Sequence, residues 1–141
     1  MIVVNSIGEL RRVIRQRIEE QGLNCNLNDI DVSRVDDMSS LFTWSKFDGD
    51  ISEWDVSNVR NMNSMFMGSR FSGDISKWDV SRVENMSSMF AHTSFNGDIS
   101  NWDVSSVENM SWMFSSSKFT GDISRWSVGS VRNMSFMFYS S

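Results

Sequence analysis

The sequence predicts an α/β repeat solenoid, a stack of short parallel strands and short helical segments with an N-terminal capping helix. The main observation is a pattern that occurs four times, as FDGDISEWDVSNV, FSGDISKWDVSRV, FNGDISNWDVSSV and FTGDISRWSVGSV, beginning at residues 47, 71, 95 and 119. Each start lies 24 residues after the last, and a fixed period of this length indicates a stack of similar units. Within a unit the apolar residues recur at a spacing of two and then of three or four, which predicts one strand and one short helix.

Residues 1–22 are predicted to form a strand and a helix that cover the open end of the stack. Ser6 and Glu9 have the spacing of a capping box, and Gly22 stands where a helix C-cap belongs. Residues 2–4 are apolar and would add the strand. The segment between the caps carries one apolar stripe, formed by Ile7, Leu10, Val13, Ile14 and Ile18.

Residues 23–141 are predicted to form a solenoid of about five repeats. Complete units span residues 23–46, 47–70, 71–94 and 95–118, and the first is degenerate. The fifth unit, 119–141, is one residue shorter than the others.

Within a unit, residues 51–56 (ISEWDV) predict a strand with Trp54 on its apolar face. The next apolar residues have the spacing of a short helix or 3₁₀ segment, at Val59, Met62, Met65 and Phe66. Ser57 would cap that segment, and Gly49 would allow a tight, left-handed turn into the strand. This combination predicts a leucine-rich-repeat-like solenoid.

Large aromatic residues mark the C-terminal end of the predicted stack. One column of serines becomes Trp112 and then Phe136 in the last two units, and Phe138 and Tyr139 follow closely. Either these four residues fold over the last layer as an improvised cap, or they form a contact surface. The second interpretation predicts a homodimer through the C-terminal end or an obligate partner.

Two columns of aspartates repeat with the same period. They are Asp31, Asp55, Asp79 and Asp103, and Asp50, Asp74, Asp98 and Asp122. Parallel layers lie about 4.8 Å apart, so each column would be a ladder of like charges. Three interpretations stay open: the carboxylates accept hydrogen bonds from turn or helix-start amides, bind a row of cations, or form an exposed stripe that imitates a nucleic-acid backbone.

The charged and reactive residues argue against several classes of site. The net charge is −5, and residues 1–22 carry four arginines and three glutamates, so the remainder holds −6, which disfavours direct nucleic-acid binding. His92 and Cys25 are the only residues of their kind, and no phosphate-binding loop or zinc spacing occurs. We therefore expect no catalytic, cofactor or metal site, and an inert Cys25. Core stacking is expected for Trp54, Trp78, Trp102 and Trp126.

The sequence also bears on cellular location. One cysteine excludes an intrachain disulfide, and the N-terminal residues lack the basic and long apolar regions of a signal peptide. No stretch has the length and apolarity of a membrane span. We therefore expect a cytoplasmic protein without membrane contact.

The units IS-x-WDVS-x-V-x-NM-x-x-MF and F-x-GDIS resemble the repeat of the BspA-type leucine-rich-repeat surface proteins and of the related mycoplasma lipoproteins, over about residues 23–141. Many of those proteins are adhesive, so the resemblance implies a binding scaffold with no activity or cofactor to carry over. Their secretion signal, lipid-attachment cysteine and wall anchor are missing from this sequence. It is more similar to short members without a signal, which implies an intracellular binding protein of bacterial or phage origin.

We therefore predict a non-enzymatic scaffold that binds another macromolecule, above all a protein, as an intracellular inhibitor or adaptor. The predicted partner-binding residues are Trp112, Phe136, Phe138, Tyr139, Asp31, Asp55, Asp79 and Asp103. One alternative is an acidic, nucleic-acid-mimicking inhibitor of a host or defence enzyme; another is a bacterial surface adhesin fragment. Positions that vary between units, such as Arg60 and Glu84, give the repeated face a mixed-charge pattern suited to a protein partner.

Overall fold

The computed structural model describes residues 1–141 and contains three regular elements. They are strand β1 (Ile2–Val3), helix α1 (Ile7–Gln21) and strand β2 (Ile30–Asp31). The remaining residues form turns and irregular segments that repeat along the chain. No helix is both long enough and apolar enough to cross a bilayer.

Helix α1 lies where the sequence predicts it. The Ser6 hydroxyl accepts a hydrogen bond from the Glu9 N–H at 3.2 Å, as a capping box requires. The Glu9 carboxylate accepts from the N–H of Asn5, one residue before the expected donor. Gly22 ends the helix with φ of 90°, and Leu10 and Ile14 are buried in the common core. The helix therefore shares the core of the first repeat unit.

The predicted N-terminal strand also forms. β1 pairs in parallel with β2, with Ile2 opposite Ile30 and Val3 opposite Asp31. β2 occupies, in the first unit, the position that corresponds to Trp54–Asp55. It is the only place where the predicted strand of the repeat appears.

The predicted strand is wrong in the other units, because aspartates close turns along this segment. In the second unit Asp50 accepts a hydrogen bond from the Ser52 N–H at 2.9 Å, and Asp55 accepts from the Ser57 N–H at 3.0 Å. A carboxylate two residues before an N–H offers the backbone a local partner, and this competes with strand pairing. Ser57 therefore bonds to Asp55 and caps no helix.

The predicted short helix is also wrong. We call residues 61–68 the ladder segment, with equivalents 37–44, 85–92, 109–116 and 133–140. Two of its residues, Ser64 and Gly68, have left-handed φ angles of 56° and 66°, and the equivalent positions in every unit do the same. A right-handed helix cannot continue through such residues. The segment forms successive tight turns, as in the hydrogen bond from the Met65 N–H to the Met62 carbonyl.

The glycine of each F-x-GDIS motif has a different role from the predicted left-handed turn. Gly49 does not have positive φ. A Cβ atom there would lie 2.6 Å from the ring of Phe47, so the position requires a small residue for space. Cys25 occupies this column in the first unit, where Leu23 replaces the phenylalanine.

The core consists of buried columns that run through all units. Phe42, Phe66, Phe90 and Phe114 stack with ring centroids 5.7–5.9 Å apart. The tryptophan column is buried, as predicted, and each indole N–H donates to a carbonyl of the preceding unit at 2.9–3.1 Å, from Trp54, Trp78, Trp102 and Trp126. Successive units therefore share both apolar packing and polar contacts.

Candidate functional site

The ladder segments join neighbouring units by hydrogen bonds that all point the same way. Every second N–H donates to a carbonyl of the following unit; Met62 donates to Asn85, and Ser64 donates to Ser87. Four such bonds cross each of the four junctions between units, with N···O distances of 2.8–3.0 Å. No ladder N–H donates in the opposite direction. The array therefore has chemically different ends.

The peptide groups of each row form a continuous chain along the stack. The N–H of Met38 donates to the carbonyl of Asn61, and the same peptide group donates onward through the N–H of Met62. As in an α-helix, aligned peptide dipoles place partial negative charge at the carbonyl end and partial positive charge at the N–H end. We call these the acceptor end, on the first unit, and the donor end, on the last unit.

Helix α1 and two of its arginines lie over the acceptor end. Arg11 donates to the carbonyl of Ser39 at 2.7 Å. Arg17 donates to the carbonyl of Asn26 at 3.3 Å and forms a two-point ion pair with Asp29 at 2.8 and 2.9 Å. The hydrogen bond to Arg17 lowers the pKa of Asp29 and raises that of the arginine. Cationic donors thus face the negative end of the peptide rows.

The donor end is uncovered. The N–H groups of Met134, Phe136, Phe138 and Ser140 continue the four rows, and none has a backbone acceptor. All four residues are exposed. The carbonyls of this segment already accept from the preceding unit, so the row presents donors only.

Four aromatic residues surround these donors; we call Trp112, Phe136, Phe138 and Tyr139 the C-terminal aromatic cluster. Trp112 stacks on Phe136 at 4.4 Å between ring centroids, and Tyr139 meets both rings edge-on at 5.6 and 5.8 Å. Phe138 stacks on Phe114 at 5.6 Å. The structure therefore brings together all four aromatic residues that the sequence singled out.

The aromatic cluster stays accessible. Trp112 is 39% exposed, and Phe136, Phe138 and Tyr139 are 52–55% exposed. Trp112 and Phe136 also have left-handed φ angles of 59° and 57°, which bulky side chains rarely adopt. Local conformational preference therefore does not explain aromatic residues at these two positions.

The two aspartate columns close turns, as the first of the three interpretations predicts. In every layer the carboxylate accepts from the N–H two residues later, for example Asp79 from Ser81 and Asp98 from Ser100, each at 3.0 Å. These hydrogen bonds lower the pKa of most members: Asp31, Asp50, Asp74, Asp79, Asp98, Asp103 and Asp122. Asp31 is half-buried, whereas Asp55, Asp79 and Asp103 are exposed. No group of three or more acidic, histidine or cysteine side chains could hold a metal ion.

A further turn-closing column was missed in the sequence. Asn61 accepts from the Asn63 N–H, and Asp37, Asn85, Asn109 and Asn133 make the equivalent bond. Its signal was present, because an asparagine or aspartate followed two residues later by serine or asparagine recurs in every unit.

The variable charged positions form a second candidate surface. Glu84 lies 4.0 Å from Arg60, and Glu108 lies 3.6 Å from Arg132. With Arg82 these residues line a shallow polar depression of about 440 Å³. These ion pairs are exposed, so each contributes little to stability.

Two other singled-out residues lie away from both surfaces. Cys25 is buried, and this burial raises the pKa of its thiol. The His92 ring stacks on Trp44 at 5.9 Å. Trp44 is 64% exposed, crosses Gly68 of the intervening unit, and was not predicted as a surface feature.

Comparison with known proteins identifies one family. The family model described as "Mycoplasma protein of unknown function, DUF285" matches residues 9–94 and, a second time, residues 70–141. No curated protein and no solved structure matches the chain.

Proposed function

The chain belongs to this mycoplasma-type repeat family, and from that premise we propose that it is a non-enzymatic solenoid scaffold of the BspA-like, leucine-rich-repeat-like kind that binds another protein. The C-terminal aromatic cluster and the donor end are the proposed contact surface. The scaffold role suits an architecture in which nearly every side chain is repeated, because a catalytic pocket needs residues that differ between layers.

The exposure of the aromatic cluster carries the proposal. Phe138 continues the column of Phe42, Phe66, Phe90 and Phe114, which are all buried, yet it is half exposed. Contiguous apolar groups beside unpaired backbone donors are typical of a surface that a partner covers. Aromatic residues are also enriched at the centres of protein interfaces.

The chemistry available elsewhere supports a binding role. The surface depressions have volumes of about 300–440 Å³, and His92 lines none of them. Cys25 is buried with a raised pKa, so little of it is the nucleophilic thiolate at neutral pH.

A comparative capture experiment tests the proposal. The wild-type chain is used as bait in a lysate of the source cell, beside Phe136→Ser with Phe138→Ser and beside Trp44→Ser. Trp44 is the matched control, because it is an exposed aromatic residue in a different unit. We expect a protein retained by wild type and by Trp44→Ser but lost with the double variant. Equal retention by all three baits would refute binding through the aromatic cluster.

The acidic mimic is the second candidate, since three aspartates of one column are exposed. Asp55, Asp79 and Asp103 each use one carboxylate oxygen in a turn and remain solvent-accessible. Replacement of all three by asparagine keeps an oxygen acceptor for the turn and removes three charges. Capture that weakens steeply with salt and is lost in this variant would favour mimicry over the aromatic cluster.

A further inference from the structure

We infer that the donor end binds the carbonyl-presenting end of a repeat unit on a different protein. The inference rests on the proposed function and specifies the chemistry of the partner. It follows from three properties of the last unit: the direction of its hydrogen bonds, its local charge and the open face of its phenylalanine column.

The hydrogen-bond pattern excludes several partners. The N–H groups of Met134, Phe136, Phe138 and Ser140 are free, while the carbonyls between them are already bonded to the preceding unit. An ordinary strand edge presents both N–H and C=O groups, so half of its polar groups would find no partner here. A partner that offers acceptors only satisfies all four donors without leaving donors of its own unpaired.

A second copy of this chain fits poorly. A symmetric pair of donor ends would set N–H groups against N–H groups. A head-to-tail pair would need the acceptor end of the next copy, where Arg11 and Arg17 of α1 already occupy carbonyls. The partner is therefore a different protein whose first repeat unit is not covered by a helix.

Charge and shape agree with this partner. The side chains of residues 119–141 include two arginines, Arg125 and Arg132, against one acid, Asp122, a net of +1 in a chain of −5. The aligned peptide dipoles add partial positive charge at the same end. A row of carbonyl oxygens brings the complementary partial negative charge.

The required interface already exists inside the molecule. At each junction the carbonyls of one unit accept from the unit before, and the phenylalanine rings stack 5.6–5.9 Å apart. Phe138 has one ring face against Phe114 and its other side exposed. A further unit from another protein would continue both the four hydrogen-bond rows and the ring stack.

The test supplies such a unit by tethering it. A copy of residues 70–93 is joined directly after Ser141, where the 24-residue register places the copied Asn85, Ser87 and Met89 carbonyls opposite the free donors. Tethering removes the uncertainty of concentration. We expect amide exchange at Phe136 and Phe138 to slow by at least about 100-fold relative to the parent chain. Unchanged exchange would overturn the inference.

A proline variant isolates the backbone donor. Met134→Pro removes the first N–H of the row, and Met134→Ala is its control because it loses the same side chain but keeps the N–H. Asn133, before it, lies in a parallel bridge, which suits the extended conformation that proline imposes on its predecessor. We expect the protection of Phe136 in the tethered chain to fall at least tenfold more with proline than with alanine. Equal effects would contradict pairing through this donor.

The capture experiment then separates the two proposals. If the tethered unit orders but the extended chain still captures its partner as well as wild type does, the donor end accepts a unit and the proposed function is wrong. If the tethered unit stays disordered while Phe136→Ser with Phe138→Ser abolishes capture, the proposed function stands and the inferred partner chemistry is wrong.

Discussion

The two ends of the repeat array differ in what covers them, although repeated sequence builds both. At the acceptor end, α1 buries Leu10 and Ile14 against the first unit and directs arginines at backbone carbonyls. At the donor end, four N–H groups and four aromatic side chains are exposed. The difference teaches that a stack of identical units is directional, because its peptide rows present acceptors on one side and donors on the other.

The direction explains the composition of the helix. A basic helix in an acidic chain reads at first as a surface for phosphate or membrane. In the structure Arg11 and Arg17 supply donors to the negative end of the peptide rows. The donor end calls for the opposite chemistry, which α1 cannot supply from the far side of the molecule.

The largest expected effect separates the interior of a row from its end. Met86→Pro removes the N–H that donates to Asn109 at 2.9 Å. Beyond the cost of Met86→Ala we expect a further loss of about 3 kcal/mol in unfolding free energy. The same Pro–Ala difference at Met134, whose N–H has no backbone acceptor, should be under about 0.5 kcal/mol.

Urea denaturation followed by circular dichroism measures both differences. If Met86→Pro does not fold at all, the comparison is read from the loss of a cooperative transition. Equal Pro–Ala differences at the two positions would mean that the end of the row is not free.

The second prediction compares apolar packing at the two ends. Leu10 is fully buried beneath α1, and we expect Leu10→Ala to lower the unfolding free energy by about 2–5 kcal/mol. Phe138 is half exposed, and Phe138→Ala should cost only about 1 kcal/mol, although it removes a larger side chain. Thermal unfolding of both variants checks the order, and a larger loss at Phe138 would make the aromatic cluster a structural cap.

The third prediction tests the arginine contacts over the acceptor end. Arg17→Ala removes the bond to the Asn26 carbonyl and the ion pair with Asp29, and we expect a loss of about 1–2 kcal/mol. Arg12→Ala is the control, because Arg12 is exposed on the same helix and makes no hydrogen bond. Similar urea midpoints for the two variants would contradict the capping role of Arg17.

The smallest expected effect is a pH dependence common to both ends. Turn hydrogen bonds lower the pKa of Asp31 in the first unit and of Asp122 in the last. A carboxyl with a lowered folded-state pKa contributes stability above its unfolded pKa, and that contribution is lost as the pH falls below about 5 and through the folded value. Acid should therefore weaken both ends alike.

Melting temperatures between pH 7 and pH 2 test this with Asp79→Asn, which keeps the turn acceptor but cannot titrate, and with Asp79→Ala, which loses both. We expect a flatter acid limb with asparagine and a lower melting temperature at neutral pH with alanine. A steeper acid limb with asparagine would be inconsistent with turn bonding as the cause.

Much of the organisation could be predicted from residues whose role is local. Ser6, Glu9 and Gly22 bound the helix because capping depends on neighbours within four residues. The 24-residue spacing identified the buried tryptophan and phenylalanine columns, and the replacement of serine by Trp112 and Phe136 identified the aromatic end. The internal form of the unit was not predictable in this way, since the alternating apolar residues of ISEWDV have strand-like spacing although Asp50 and Asp55 hold them in turns.

By itself, the sequence determined the period, the helix and its caps, the buried columns and the place where aromatic residues replace serines, because each of these depends on side-chain type at a fixed spacing. Tertiary structure alone decided that the ladder N–H groups all donate toward the C-terminal end. Peptide direction is a property of backbone geometry, fixed by left-handed residues such as Ser64 and by contact with the next unit. That direction places arginines over one end and leaves donors free at the other.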